Sequence, residues 1–312
     1  MTILEIRHVS HSFGSLLALQ SCSFMLQKGE IFGLLGPDGA GKTTLLRILA
    51  GVLQPDAGEI RLPDFDSFRE FRQHLGYMPQ HFSLYEECTV EENITLLGRL
   101  HGVPEKELRK RRKDILEMMG LAPFRKRLGG DLSGGMKQKL SLGAILVHQP
   151  QILLLDEPGT GVDPVSRREF WRILYTLNRQ GITMLLSTAY MEEASLCSRL
   201  GLLSMGKLLR VGTPQEIRRS FPYPMLRLSF PGISQKTALF RACTALPGVR
   251  WGNPLGEFLH LAVTDRKLLE ESLSKLLQEK GSPECALEEI APDLEDIFVE
   301  LASPKTPEEQ QA

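Results

Sequence analysis

Short apolar runs alternate with helical patterns over the first two thirds of the chain. Ile31–Leu35, Ile152–Leu155, Thr183–Ser187 and Leu200–Ser204 are nearly continuous in apolar character, as strands covered on both faces are. A helical pattern follows the first run and stops near Gly51, and another spans Val165–Arg179. This order predicts an α/β core, a mostly parallel sheet with helices on both faces. Ahead of it, polar Glu5, His8 and Ser10 interleave with Leu4, Ile6 and Val9, and Leu17–Leu26 resumes an extended pattern. Two antiparallel strands are expected there, with Phe13-Gly14 in their connection. Pro55–Gly58 reads as a turn into a short strand at Glu59–Leu62, and Leu75–Met78 as another, ending at Pro79-Gln80.

From about residue 81 to 150 the strand signals vanish and the pattern becomes helical, as in an inserted subdomain. Leu108, Ile115, Leu116 and Met119 recur at helical spacing and should be buried, leaving Arg109, Lys110, Arg111, Arg112 and Lys113 largely outside. That basic run carries no interleaved aromatics and reads as a solvated helix face. The α/β core is expected to close near Phe221, with Pro222-Tyr223-Pro224 as the boundary of residues 1–221. Residues 222–302 then read as extended Met225–Phe230, helical Gln235–Leu246, extended Val249–Gly252 and Phe258–Val263, helical Arg266–Glu279, and extended Cys285–Ile290. That is the β-α-β-β-α-β order of a ferredoxin-like α+β accessory domain, with a last helix at Leu294–Leu301. Residues 303–312 are rich in Pro, Glu and Gln and are expected to be disordered.

Composition narrows the class of protein. The 312 residues are 42% hydrophobic and 24% charged, ordinary for a folded soluble protein, and the length suggests two domains. A net charge of -1 provides no global field for nucleic acid or anionic lipid. The cysteines at 22, 88, 197, 243 and 285 form no C-x-x-C pair, which fits a reduced, cytoplasmic setting. No signal pattern opens the chain, and no apolar run approaches the roughly twenty residues that span a bilayer.

The chemistry is concentrated in three strings. Gly36-Pro37-Asp38-Gly39-Ala40-Gly41-Lys42-Thr43-Thr44 fits the phosphate-loop pattern G-x-x-x-x-G-K-[ST] between an apolar strand and a helix. Glycines there let backbone N–H groups turn toward phosphate oxygens, Lys42 should reach the outer phosphates of a bound nucleotide, and the Thr43 hydroxyl should hold Mg2+. Ile152–Leu155 runs into Asp156-Glu157 at the sheet edge where ligands gather, placing Asp156 to order the metal and Glu157 to act as base toward water. Leu132-Ser133-Gly134-Gly135-Met136 sits at the mouth of an apolar helix, a second anion-binding end.

In order and spacing, these strings resemble the ATP-binding subunits of ABC transporters. The resemblance covers Met1 to about Phe221, and Ile290–Phe298 resembles the tail of exporter-type members, which serve drug, lipid or polysaccharide efflux. It implies the fold of a P-loop ABC-type ATPase, with each ATP held between the phosphate loop of one domain and the Ser133–Met136 segment of another. It further implies that Phe13 stacks on adenine, that Gln80 senses Mg2+ and couples to a transmembrane permease, and that Asp163 lies in a dimer-facing loop. The protein would then sit in the cytoplasm, peripheral on the inner face of the cell membrane through that permease, without a nucleic-acid partner.

One position departs from the family pattern. Ala189 stands where a histidine usually contacts the γ-phosphate, and losing a preorganised donor of this kind costs on the order of a hundred to a thousandfold in rate. Gly159 in place of threonine and Asp38 in place of asparagine or serine are milder departures. Ala189 suggests either a heterodimer with an intact second ATPase, which is favoured, or a homodimer of slow turnover. A weakly hydrolysing regulatory subunit and a soluble ABC ATPase acting on ribosomes or nucleic acid are the alternatives; the second usually has two ATPase domains in one chain and basic linkers.

Overall fold

The computed structural model describes residues 1–230, 236–279 and 285–302; the tail expected to be disordered, 303–312, lies outside them. The chain divides into two compact units, Met1–Pro214 and Gln215–Ala312. The division therefore falls before the Pro222–Pro224 stretch, which leads into a strand instead of marking the break.

The first unit opens with β1 (Thr2–Phe13) and β2 (Leu16–Gln27), paired antiparallel. After β3 (Ile31–Leu35) and α1 (Lys42–Leu49), β4 (Ala57–Arg61) returns to pair antiparallel with β1. Next come α2 (Phe68–Gln73), β5 (Leu75–Met78), α3 (Val90–Leu100), α4 (Glu105–Met118), a short 3-10 turn at Ala122–Phe124 and α5 (Gly134–Leu146). Then follow β6 (Ile152–Asp156), α6 (Pro164–Arg179), β7 (Thr183–Thr188), α7 (Met191–Ala194), β8 (Arg199–Ser204) and β9 (Lys207–Gly212), and α8 (Pro214–Arg219) starts at the boundary and runs into the second unit.

The main sheet has the order β5-β6-β7-β3-β8-β9. All its pairings are parallel except the β8–β9 edge. Every residue of β3, β6 and β7 is buried, which explains why these central strands read as unbroken apolar runs. A shared core joins the sheets: Ile6 and Val9 of β1, Leu45 and Leu49 of α1, and Phe32 and Leu154 of the large sheet belong to one cluster. Phe24 and Phe32 stack across it with ring centroids 4.9 Å apart. The strand β9 is reached through Met205 and Gly206, both with left-handed φ, a tight turn without the Asn-Gly or Asp-Gly signal that announces such hairpins. The helices α2, α7 and α8 have too few residues for a helical period to appear.

The inserted helices pack closely. Leu108, Ile115, Leu116 and Met119 are buried as their spacing predicts. The basic run on α4 is only partly solvated: Arg111 donates to the Val147 carbonyl at 3.1 Å and Arg112 to Thr95 Oγ1 at 2.9 Å, so these two arginines tie α4 to α5's end and to α3. Thr89 begins α3 with a capping box, its hydroxyl accepting from Glu92 N while the Glu92 carboxylate accepts from Thr89 N. Among the described residues no helix is long and apolar enough to cross a membrane.

The second unit contains β10 (Met225–Ser229), α9 (Lys236–Thr244), β11 (Val249–Leu255), β12 (Phe258–Val263), α10 (Arg266–Glu279), β13 (Ala286–Ile290) and α11 (Leu294–Ala302). Its sheet order is β11-β12-β10-β13, antiparallel throughout, which is the ferredoxin-like arrangement. Leu226, Leu228, Leu259, Leu261, Phe240, Leu269 and Leu273 make its core. The start of α11 is closed reciprocally, Asp296 N donating to Asp293 Oδ1 at 2.8 Å and Asp293 N to Asp296 Oδ2 at 3.1 Å.

A pair of stacked imidazoles, His101 and His148, lies in the first unit with ring centroids 3.9 Å apart and planes 4° from parallel. His148 Nε2 donates to the Leu75 carbonyl at 3.1 Å. Burial, with His101 adding to it, lowers the His148 pKa to about 4. The folded protein therefore resists a proton that the unfolded chain takes up near 6.5, so stability present above that pH is lost as pH falls toward about 4. We expect the thermal unfolding midpoint to drop across this window, and His148→Phe, which keeps a ring in the stack, to flatten the drop. Parallel pH profiles for the two proteins would refute that assignment.

Candidate functional site

The turn from β3 into α1 wraps around its own lysine. Gly36 N donates to the Thr188 carbonyl at 3.2 Å, and Lys42 Nζ donates to the carbonyls of Gly36 at 2.8 Å and Pro37 at 3.0 Å. Two glycines are required, Gly41 by conformation and space together and Gly36 by space alone. Gly41 caps α1 with φ 105°, a region L-residues rarely adopt, and a Cβ there would overlap the Ala18 carbonyl oxygen. A Cβ at Gly36 would overlap the Leu203 carbonyl oxygen.

The ends of β6 and β7 bring the acids to this loop. Asp156 Oδ1 accepts from Thr43 Oγ1 at 3.1 Å and from Ser187 Oγ at 2.6 Å, while Asp156 Oδ2 is buried without a hydrogen-bond partner among the described residues. Burial raises the Asp156 carboxyl above its ordinary range, against the pull of the Ser187 and Thr43 hydroxyls. Glu157 Oε1 pairs with Lys42 Nζ at 3.0 Å, and its Oε2 accepts from Gln80 Nε2 at 2.9 Å and Thr160 Oγ1 at 3.2 Å. The Glu157 backbone has φ 46°, a strained conformation for a residue with a side chain.

An open cavity of about 540 Å³ is lined by Phe13, Asp38, Gly39, Ala40, Gly41, Lys42, Thr43, Thr44, Gln80 and Glu157 from the sequence-predicted set. Leu16, Leu17, Ala18, Gln20 and Met205 complete its wall. Phe13, Leu16, Leu17 and Met205 are exposed, so the end of the cavity away from Lys42 carries an apolar, partly aromatic surface. Gly36 and Pro37 lie behind it as acceptors for Lys42, and Asp156 behind Thr43.

Other sequence-predicted residues stand apart from this cavity. Ser133 caps α5, its Oγ accepting from Met136 N at 3.4 Å, and Asp163 caps α6, accepting from Val165 N and Ser166 N at 3.0 Å. These starts touch: a Cβ on Gly134 would lie 3.0 Å from the Gly161 carbonyl oxygen and one on Gly135 2.6 Å from Ser166 Cβ. Ser133, Gly134, Gly135, Met136, Asp163 and Ala189 do not line the cavity. Ala189 is exposed just past β7. Ser187 and Thr160 escape sequence reasoning, although a buried hydroxyl in an apolar strand, as at Ser187, is itself a signal that a polar partner lies across the sheet.

Comparison with known proteins agrees with this geometry. The family model described as ABC transporter matches residues 19–160. The Nod factor export ATP-binding protein I of Rhizobium sp. (strain N33) is 36% identical over 96% of this chain and 96% of its own length. The chain belongs to the ABC transporter ATP-binding family. The probable multidrug ABC transporter ATP-binding protein YbhF of Escherichia coli (strain K12) is 40% identical over 88% of this chain. The chain spans 47% of that relative's length. Among solved structures, the dimeric post-hydrolysis state of an ATP-binding cassette bound to ADP and Pi superposes with TM-score 0.61 at 26% identity, covering 67% of this chain and 98% of that one.

In this ABC ATPase two of the three loop glycines, at 36 and 39, make different demands. Gly39 has φ 77° with open space around its Cβ position, whereas Gly36 faces a backbone carbonyl that cannot retreat. Gly36→Ala is therefore expected to lower the thermal midpoint and weaken ATP binding more than Gly39→Ala. Calorimetry and nucleotide titration of both variants check this, and equal effects would show that strand β8 yields.

Proposed function

We propose that this chain binds and hydrolyses ATP to drive export through a separate transmembrane permease, and that it works as one half of an ATP-closed dimer. The observation that carries this reading is the single cavity in which Lys42, Thr43, Gln80 and Glu157 meet beneath the apolar surface of Phe13. Phosphates would lie on the loop N–H groups and the start of α1, and the base against Phe13. The unpartnered Asp156 Oδ2, the Thr43 hydroxyl and the Gln80 amide oxygen form a hard oxygen set that suits Mg2+. When bound there, Mg2+ would neutralise charge on the β- and γ-phosphates.

Lys42 holds loop carbonyls and Glu157 at once, so an arriving phosphate competes with Glu157 for the ammonium. Released from that pair, Glu157 can accept a proton from the water that attacks the γ-phosphorus. The bond to the β-phosphate oxygen breaks as the new P–O bond forms, and ADP leaves with the electron pair.

Ser133, Gly134, Gly135, Met136 and Asp163 would serve the cavity of a second ATP-binding domain, which accounts for their separation from this one. The family supplies the precedent of a dimer. Gln80 joins the cavity to the inserted helices and would pass closure to the permease, holding the protein at the cytoplasmic face of the membrane. The relatives' names, multidrug transport and Nod factor export, support a cargo moved outward.

Ala189 favours slow turnover, since it offers no donor where the family usually has histidine. A regulatory subunit that pairs with a faster ATPase is the second reading, and it rests on that residue alone. We expect the purified chain to hydrolyse ATP slowly and Ala189→His to raise kcat about tenfold or more. Brisk turnover that histidine leaves unchanged would overturn the slow-site reading. Separately, Glu157→Gln is expected to retain ATP and lengthen the lifetime of the dimer, measured by filtration binding and size-exclusion chromatography. Unaltered retention and dimerisation would count against hydrolysis at this cavity.

A further inference from the structure

Glu193 is almost fully buried although it is not part of the nucleotide cavity. Its Oε2 accepts from Thr188 Oγ1 at 2.6 Å, and the same hydroxyl accepts from Tyr190 N at 3.0 Å. These bonds span Ala189 and set the backbone turn at the end of β7. Its Oε1 lies 3.6 Å from Arg167 Nε, on the first turns of α6.

The carboxylate also fills the place of a side chain at residue 159. A Cβ on Gly159 would overlap Glu193 Oε1, with Glu193 Cδ at 2.8 Å and Oε2 at 3.3 Å as its other nearest atoms. No other residue is so near. The Gly159 backbone is outside the left-handed region, so conformation does not require glycine there; occupancy does. Gly159 is two residues after Glu157, whose own strained φ of 46° needs neighbours that hold it.

We propose that Glu193 is a positioning residue for hydrolysis, wedged between the Glu157–Thr160 segment and the turn at Ala189, and that Gly159 is the vacancy cut for it. One carboxyl then sets the relation between the candidate base and the switch position. Burial raises the Glu193 carboxyl above its usual range while Thr188, Arg167 and Trp171 oppose the rise. The role rests on the ATPase reading given above.

A double-mutant cycle in the full chain tests it. Gly159→Ala should push the carboxylate off Thr188 and lower kcat by up to about a hundredfold, the scale of a small misplacement of catalytic groups, with KM for ATP within about twofold. Glu193→Ala should do likewise, and the double variant should be no slower than the slower single one, because both changes disturb the same contact. On a Trp251→Phe background, the emission of buried Trp171 should shift in each single variant. Unchanged kcat in Gly159→Ala, or strictly multiplicative losses in the double variant, would overturn the proposal. If the unmodified chain shows no turnover, the ATPase reading fails by itself, and the Trp171 emission decides: no shift in Gly159→Ala overturns the wedge.

Discussion

Two hydroxyls converge on one buried oxygen, Asp156 Oδ1, and the polar edge of the main sheet depends on them. Thr43 reaches it from the start of α1 and Ser187 from β7, so a single acceptor ties the phosphate loop to two central strands. A carboxylate taken out of water costs several kcal/mol unless hydrogen bonds replace its hydration. Here they replace half of it, for Oδ2 has no partner among the described residues. The end of β6 thus holds a buried, incompletely satisfied carboxyl at the close of an apolar strand, since all of Ile152–Asp156 is buried.

The same strands explain why Glu157 can be held under strain. Its N–H donates to Ser187 Oγ at 2.9 Å, its carboxylate is shared by Lys42, Gln80 and Thr160, and the segment after it abuts Glu193. A left-handed backbone at a residue with a Cβ costs on the order of 1–3 kcal/mol and persists only where its surroundings leave no alternative. Ser187 bridges Asp156 and Glu157 directly, so the two acids are oriented as a pair.

The central strands and the phosphate loop were legible because each rests on a local necessity: burial on both faces removes polar residues from Ile31–Leu35 and Ile152–Leu155, and close backbone approach demands the glycines at 36 and 41. The βαββαβ order of the second unit was legible for the same reason, through alternating and helical periods. Ser187, Thr160 and Glu193 were not, because each acts across the fold on residues distant in sequence or on empty space that no pattern records. Arg111 and Arg112 misled in the opposite sense: a charged run looks like a solvated face, yet their long stems carry the guanidinium groups inward to Val147 and Thr95. The substitution at 159, mild when judged by its neighbours alone, is explained only by a carboxylate from α7.

The starts of α5 and α6 meet through glycine, with the Gly135 Cβ position only 2.6 Å from Ser166 Cβ and that of Gly134 3.0 Å from the Gly161 carbonyl. No side chain longer than serine could stand between them at these two points, so a shift of the segment around Asp163 leaves the segment around Ser133 little room to stay where it is. Glycine at 134 and 135 thus fixes how near two loops distant in sequence can come, the second of them a few residues along the chain from Glu157.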